Sequence, residues 1–226
     1  MVTSYDNFAY HEMISHVPIF AHPHPRKALV IGGGDGGTIT EVLKHNCIEE
    51  VVLCEIDEEV VNISQKYFPE FASAFADKRL KIVIDDAANY VKTKTNYFDV
   101  ACIDSSDPTG PAEVLFQGPF YKDIYNALTC DGIACSQSES MYYHQDFIAG
   151  LHKQNSKIFP HTAYYYTLIP SYPSGTIGFM FCSKIFGPLE NLQTERVLEL
   201  KKLKYYNYDI HKTSFVLPQF MTEALR

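Results

Sequence analysis

Seven acidic side chains recur at comparable places in the first half of the chain: Asp35 in GGGDGG, Glu55 and Asp57 in CEID, Asp85 and Asp86 in VIDDA, and Asp104 and Asp107 in IDSSDP. Each group follows a short run rich in β-branched and apolar residues: KALVIGG, EEVVLCEID, LKIVID and FDVACIDSS. A carboxylate can hold a cation, accept from sugar hydroxyls or take a proton as a general base. Acids placed only for solubility would scatter along helices, which does not predict one at the end of every such run. Their recurrence points to one shared site with a preference for cationic ligands. By itself, DSSDP also reads as an Asx or Ser turn closing a strand.

The glycine loop narrows the ligand. Gly32, Gly34 and Gly37 fit GxGxxG, with Glu55 about twenty residues on, which is the fingerprint of a dinucleotide site. Asp35 lies inside that loop, where a backbone cradle for pyrophosphate would meet a fixed negative charge. A nucleoside without phosphate suits the loop better. Glu55 can accept from both ribose hydroxyls, and Asp86 is placed to meet an adenine edge, so the pattern is that of a nucleosidylmethionine site. Asp35 would pair with a ligand ammonium and repel a ligand carboxylate, which favours decarboxylated S-adenosylmethionine over the intact form. In either case the glycines also allow tight strand-to-helix packing.

The elements that must position these groups alternate. After KALVIGG comes the helical TITEVLKHN, after EEVVLCEID comes EEVVNISQKYF, and after LKIVID comes AANYVKTK before FDVACIDSS. Short apolar strands alternating with helices predict a parallel sheet whose strands are buried on both faces. A helix is expected around Phe120 to Leu128, a fifth strand at GIACSQ, a helix around Tyr143 to Lys157, and two late strands, TAYYYTLI and TIGFMFCS. PSYPSG between the last two is a turn signal, so an antiparallel C-terminal hairpin should close the sheet edge. The fold class expected is α/β, Rossmann-like and doubly wound in the manner of class I methyltransferases. Ligands of such sheets bind beyond the carboxyl ends of the strands. The 226 residues suit one domain, with 1–25 as a lead-in, 26–186 as the core and 187–226 as peripheral helices.

Composition excludes several classes. A formal charge of -8 argues against a nucleic-acid or anionic-membrane partner. No apolar run is long enough to span a bilayer, and MVTSYDNFAYHEM lacks the pattern of a signal peptide, so a cytoplasmic location is expected. The six cysteines form no CxxC and read as free thiols of a reducing compartment. HEMISH is not the zinc motif HExxH, because His11 and His16 are five apart and point about 140° from each other on a helix. His22 and His24 lie in AHPHP, a turn into the first strand, and Tyr164, Tyr165 and Tyr166 read as core and edge packing.

GGGDGG, CEID, DSSDPTGPAE, QSES and IPSYPSGTIGF, in this order and spacing, resemble the spermidine synthase family of aminopropyltransferases. The similarity runs from FAYHEM to HKTSFVLPQFMTEAL, and motifs that are weak singly are specific together. The resemblance implies transfer of an aminopropyl group from decarboxylated S-adenosylmethionine to putrescine, giving spermidine and methylthioadenosine. It implies Asp104 as proton acceptor, Asp107 as a second contact to the diamine, and Tyr10 and Tyr172 along the diamine channel, Tyr10 at the reacting end. It further implies Asp35 and His11 on the donor within a shell of Gly32, Gly34, Gly36 and Ala87, Glu55 on its ribose, Asp86 on its adenine, Pro111 beside the nucleoside and Gln137 near the diamine. No metal or separate cofactor is implied, and a homodimer or homotetramer is. The loop from Thr109 to Gln117 would order over bound substrates, and EVLFQGP within it reads as native sequence.

The chain departs from the family pattern in two places. Asp85, Asp86 and Ala87 stand where the family has GDG. Relatives carry a small N-terminal β domain, with a donor-contacting glutamine, that this sequence is expected to lack. The rival readings are a putrescine N-methyltransferase using intact S-adenosylmethionine, which Asp35 disfavours, and a non-catalytic nucleoside- or polyamine-binding homologue.

The chemistry explains why a carboxylate is needed. A diamine nitrogen with a pKa near that of lysine is neutral roughly once in two thousand molecules at pH 7, which costs about 4.6 kcal/mol. Only the neutral form attacks, so a base within a water-poor site supplies part of the rate.

Overall fold

The computed structural model describes residues 3–200 and 202–226. Seven strands among them form one sheet in the order β3-β2-β1-β4-β5-β7-β6. They are β1 (Lys27–Gly32), β2 (Glu50–Glu55), β3 (Leu80–Ile84), β4 (Phe98–Asp104), β5 (Leu128–Gln137), β6 (His161–Leu168) and β7 (Thr176–Ser183). The first five pair in parallel, and β7 runs antiparallel between β5 and β6. The expected hairpin is present, and its second strand is the one inserted into the sheet, leaving β6 at the edge.

The helices are α1 (Asn7–Ala21), α2 (Gly37–Leu43), α3 (Glu58–Tyr67), α4 (Ala72–Phe75), α5 (Ala87–Tyr90), α6 (Gly118–Ala127), α7 (Gln145–Asn155), α8 (Thr194–Glu199), α9 (Tyr208–Thr213) and α10 (Gln219–Ala224), with 3-10 turns at Val91–Thr93 and Gly110–Phe116. One face of the sheet packs on α1, α2 and the α9 region through Met13, Ile39, Val42 and Tyr206. The other packs on α6, α7 and α10 through Phe120, Ile124, Leu151 and Met221. This is the doubly wound arrangement, and its strand order reverses between β1 and β4.

Three sequence expectations change. The strands are not all buried on both faces: β3 is an edge, with Ile82 and Ile84 40% and 43% exposed. The lead-in is a core element, because α1 is buried from Ala9 to Ala21 on all sides, its polar residues His11, Glu12, Ser15 and His16 included. Its interior Pro18 stands near the C-terminal end, and the helix stops at Ala21.

The tail is likewise more than peripheral. Glu12, 1% exposed, accepts from the backbone amides of Lys204, Tyr205 and Tyr206 at 2.8, 2.9 and 2.7 Å. Burying a carboxylate is tolerated only when its oxygens are satisfied, so that segment of the tail completes the α1 core. Arg79 does similar work for α2, its guanidinium donating to the carbonyls of Leu43, His45 and Ile48 beyond the last turn. No helix among the described residues is long and apolar enough to cross a membrane. All six cysteines are free.

Candidate active site

The register of the parallel strands brings the acids together. Gly32 pairs with Asp104 and Glu55 with Ile84, so the carboxyl ends of β1 to β4 form one rim. A cavity of about 860 Å³ opens there, in the range of small-molecule sites, and Asp35, Glu55, Asp57, Asp85, Asp86, Asp104 and Asp107 all line it. Tyr10, His11, Gly32, Gly34, Ala87, Pro111, Gln137 and Tyr172 line it as well. Gly36 does not. Its φ of 90° lets the loop turn into α2, and a Cβ there would stand 2.5 Å from Phe75.

Asp104 sits at the floor, with each carboxylate oxygen bonded to a different helix. Tyr10 of α1 donates to Oδ1 at 2.7 Å, and Thr38 of α2 donates to Oδ2 at 2.6 Å. Burial raises the Asp104 pKa, and the charge of Asp35 adds to this, against lowering by His11, Thr38 and Tyr10. The like charge acting on Asp104 is therefore Asp35. Asp107 is exposed and raises Tyr172 and Glu139 instead.

Asp35 accepts from the Gly37 amide at 2.6 Å and lies 3.5 Å from His11 Nε2. Burial alone would raise the Asp35 pKa, but His11 and the Gly37 amide outweigh it and hold it low. Burial alone would lower that of His11, and Asp35 outweighs this and raises it. The two form a buried ion pair. Tyr10 is pushed well above the usual tyrosine value by burial and then by Asp104, so its hydroxyl keeps its proton and serves as a donor. Tyr172, in the turn after β6, is pushed up to about 12, by burial first and then by Asp104 and Asp107.

At the nucleoside end, Glu55 Oε1 accepts from the amides of Ile56 and Asp57 at 2.8 and 3.1 Å, which fixes the carboxylate at the end of β2. A Cβ on Gly34 would lie 2.9 Å from Glu55 Oε2, so only glycine lets the loop pass so near. Asp86 caps α5 by accepting from Ala88 N at 2.8 Å. Asp86, the one of these three positions that matches GDG, thus caps the helix with a carboxylate that lines the cavity. Gln137 leaves Oε1 buried without a hydrogen-bond partner, and Pro111 lies in the 3-10 turn at the rim.

Sequence reasoning missed Thr38, Glu139 and the pair Asp6 and Ser171. Asp6 accepts from Ser171 N and Oγ at 2.8 and 2.9 Å, which ties the start of the chain to the Tyr172 turn. Glu139 is buried at a left-handed φ of 65° and lies 3.2 Å from His144. No local signal marks Thr38, Asp6 or Ser171, because each acquires its role from a partner distant in sequence. His11, Asp35 and Asp104 bring ligand-type atoms within 4.8 Å of one another, as do His22, Asp99 and Asp131 far from the cavity. In the second cluster His22 Nδ1 accepts from the His24 amide at 3.1 Å, so the ring proton is on Nε2, which stands 3.6 Å from Asp131 with no lone pair to offer a metal.

A doubly wound sheet with a glycine loop, acids at the strand ends and an acidic floor defines a nucleoside-dependent transferase. Residues 7–193 match the family model described as spermine/spermidine synthase domain, and the chain belongs to that family. It is 52% identical over 220 residues to a polyamine aminopropyltransferase of Leptospira biflexa, covering 97% of this chain and 78% of that one. It is 44% identical to a spermidine synthase of Schizosaccharomyces pombe, with coverage of 99% and 76%. A spermidine synthase crystal structure in complex with the transition state analogue AdoDATO superposes with a TM-score of 0.96 at 43% identity, covering 100% of this chain and 78% of that one. The spermidine synthase of Thermotoga maritima gives 0.94 at 43% identity, with coverage of 100% and 77%.

Proposed function

We propose that the chain transfers the aminopropyl group of decarboxylated S-adenosylmethionine to putrescine, with Asp104 as the base. The observation that carries this reading is the Asp104 carboxylate, half-buried on the cavity floor and bonded by Tyr10 and Thr38 from two helices. The raised proton affinity of Asp104 brings a carboxylate nearer to what a general base for an ammonium requires. Glu55 would receive the ribose hydroxyls, Asp86 the adenine edge, and Pro111 and Ala87 would flank the nucleoside. Gly32, Gly34 and Gly36 shape the loop around it.

Asp35, kept ionised, would face the donor's ammonium, with His11 beside it. On the acceptor side, Asp107, Gln137 and Tyr172 would hold the diamine, the orphaned Gln137 Oε1 accepting from an ammonium. The diamine nitrogen loses a proton to Asp104 and attacks the aminopropyl carbon attached to sulfur. The carbon–sulfur bond breaks with its electron pair on sulfur, leaving methylthioadenosine. The sulfonium departs as a neutral thioether, so the work left to the protein is alignment and proton removal.

The test is chromatography of products after incubation with putrescine and either decarboxylated or intact S-adenosylmethionine. Spermidine from the decarboxylated donor is the expected result. Methylputrescine from the intact donor would make the chain a methyltransferase, and no product from either would leave a binding protein.

A further inference from the structure

Thr38 does not line the cavity and is fully buried in the first turn of α2, yet its hydroxyl reaches 2.6 Å to Oδ2 of Asp104. Its carbonyl accepts from Ser15 Oγ of α1 at 3.3 Å, so the helix carrying Tyr10 and the helix carrying Thr38 are tied together beside Asp104. On the other side of Oδ2 stands the loop: a Cβ on Gly33, which has φ 65°, would lie 2.6 Å from that atom. Oδ2 is thus wedged between the backbone of Gly33 and the Thr38 hydroxyl, whereas Oδ1 meets only the Tyr10 hydroxyl among these groups.

Resting on the reading that Asp104 is the base for a diamine, we propose that Thr38 is a positioning residue whose hydroxyl locks Oδ2 of Asp104 and leaves Oδ1, beside Tyr10, as the oxygen that takes the proton. A carboxylate with one oxygen pinned cannot turn about its Cβ–Cγ bond, so the proton acceptor stays aimed at one place in the cavity. The same bond favours the charged carboxylate, because a hydroxyl donor stabilises an anion more than an acid. The other groups facing Asp104 are Asp35 and His11 from the loop and α1, and Tyr172 from the turn after β6. Thr38 acts through a neutral dipole, so its effect adds no charge to a site meant for cationic substrates.

The test compares Thr38→Val, which keeps the shape and removes the donor, with Thr38→Ser, which keeps the donor. In Thr38→Val kcat should fall about tenfold or more, the loss expected for a hydrogen bond to a charged group, with the KM for the donor within about twofold. The acid limb of its kcat profile should move up by about one pH unit, since loss of a donor to the anion raises the carboxylate pKa. Thr38→Ser should stay within about threefold of the parent and keep the parent profile. An unchanged kcat and profile in Thr38→Val, or equal losses in the two variants, would overturn the positioning role. Carboxyl ¹³C NMR titration of Asp104 gives a second readout without turnover: its midpoint should rise in Thr38→Val and hold in Thr38→Ser. If the parent protein makes no spermidine, aminopropyl transfer fails as the reading, while the titration still decides whether Thr38 controls Asp104.

Discussion

The carboxylate of Glu12 accepts the backbone amide of Tyr206 at 2.7 Å across 194 residues of chain. Its neighbour His11 points into the cavity from the same helix, so α1 joins the site on one side and the C-terminal tail on the other. Removing the acceptor should therefore loosen the tail and unsettle α1. Glu12→Ala removes the acceptor of three amides, that of Tyr206 buried, and should cost up to about 3 kcal/mol at roughly 1 kcal/mol each. Urea unfolding measures this, and a change within about 0.5 kcal/mol would show that the tail does not depend on the contact.

Asp104→Asn keeps the shape of the side chain but turns one accepting oxygen into a donor and accepts no proton at neutral pH. Turnover should drop by about two to four orders of magnitude, the range of a positioned general base. Binding of methylthioadenosine, followed by calorimetry, should be nearly intact. Near-normal turnover would remove Asp104 from its assigned role.

On the proposed reading, Asp35 is the charge that would separate decarboxylated from intact donor. Asp35→Asn should weaken the decarboxylated donor by about tenfold to a hundredfold, the worth of an ionic hydrogen bond, and narrow its preference over S-adenosylmethionine. Competition binding with the two nucleosides reads the ratio directly. An unchanged ratio would place the discrimination elsewhere.

The His11–Asp35 pair carries a defined pH window. His11 is raised above its usual 6.5, so its contribution to stability is complete below that pH and is lost as pH rises through the raised value. Asp35 is lowered below its usual 3.8, so its contribution is complete above that pH and is lost as pH falls through the lowered value. Between these limits the pair is intact, with the charges of Asp104 and Glu41 also favouring protonated His11. The stability gap between the parent protein and His11→Gln should be widest between pH 3.8 and 6.5 and shrink on either side. Denaturant midpoints across pH check this; a gap that widens above neutrality would contradict it.

Gly37 makes room for the ring of His11, which a Cβ there would overlap. Gly37→Ala should cost about 1–3 kcal/mol from overpacking and weaken donor binding by displacing His11. Thermal unfolding together with nucleoside binding tests both effects, and a fully stable variant with normal affinity would show that the ring can move without consequence.

Much of this arrangement was legible in the chain because the signals are local. Short β-branched runs ending in acids gave the parallel strands, and all seven acids do reach one cavity. Asp35 within a glycine loop argued against phosphate before any fold was known. The N-terminal helix was less legible as a core element, because its polar residues His11, Glu12, Ser15 and His16 read as a solvent face and are buried only by distant partners. β3 misled in the opposite direction, since an apolar edge strand reads like a central one.

The sequence by itself determined the chemistry available: carboxylates after strands, a glycine loop unsuited to phosphate and an excess of negative charge suited to cations. The tertiary structure alone decided how those carboxylates differ. Asp35 is held low by His11, which is 24 residues away, and Asp104 is raised by burial and by Asp35, which is 69 residues away. Residue type gives each carboxylate the same intrinsic proton affinity. Only the folded positions of charges, donors and solvent hold one of them ionised and raise the proton affinity of the other.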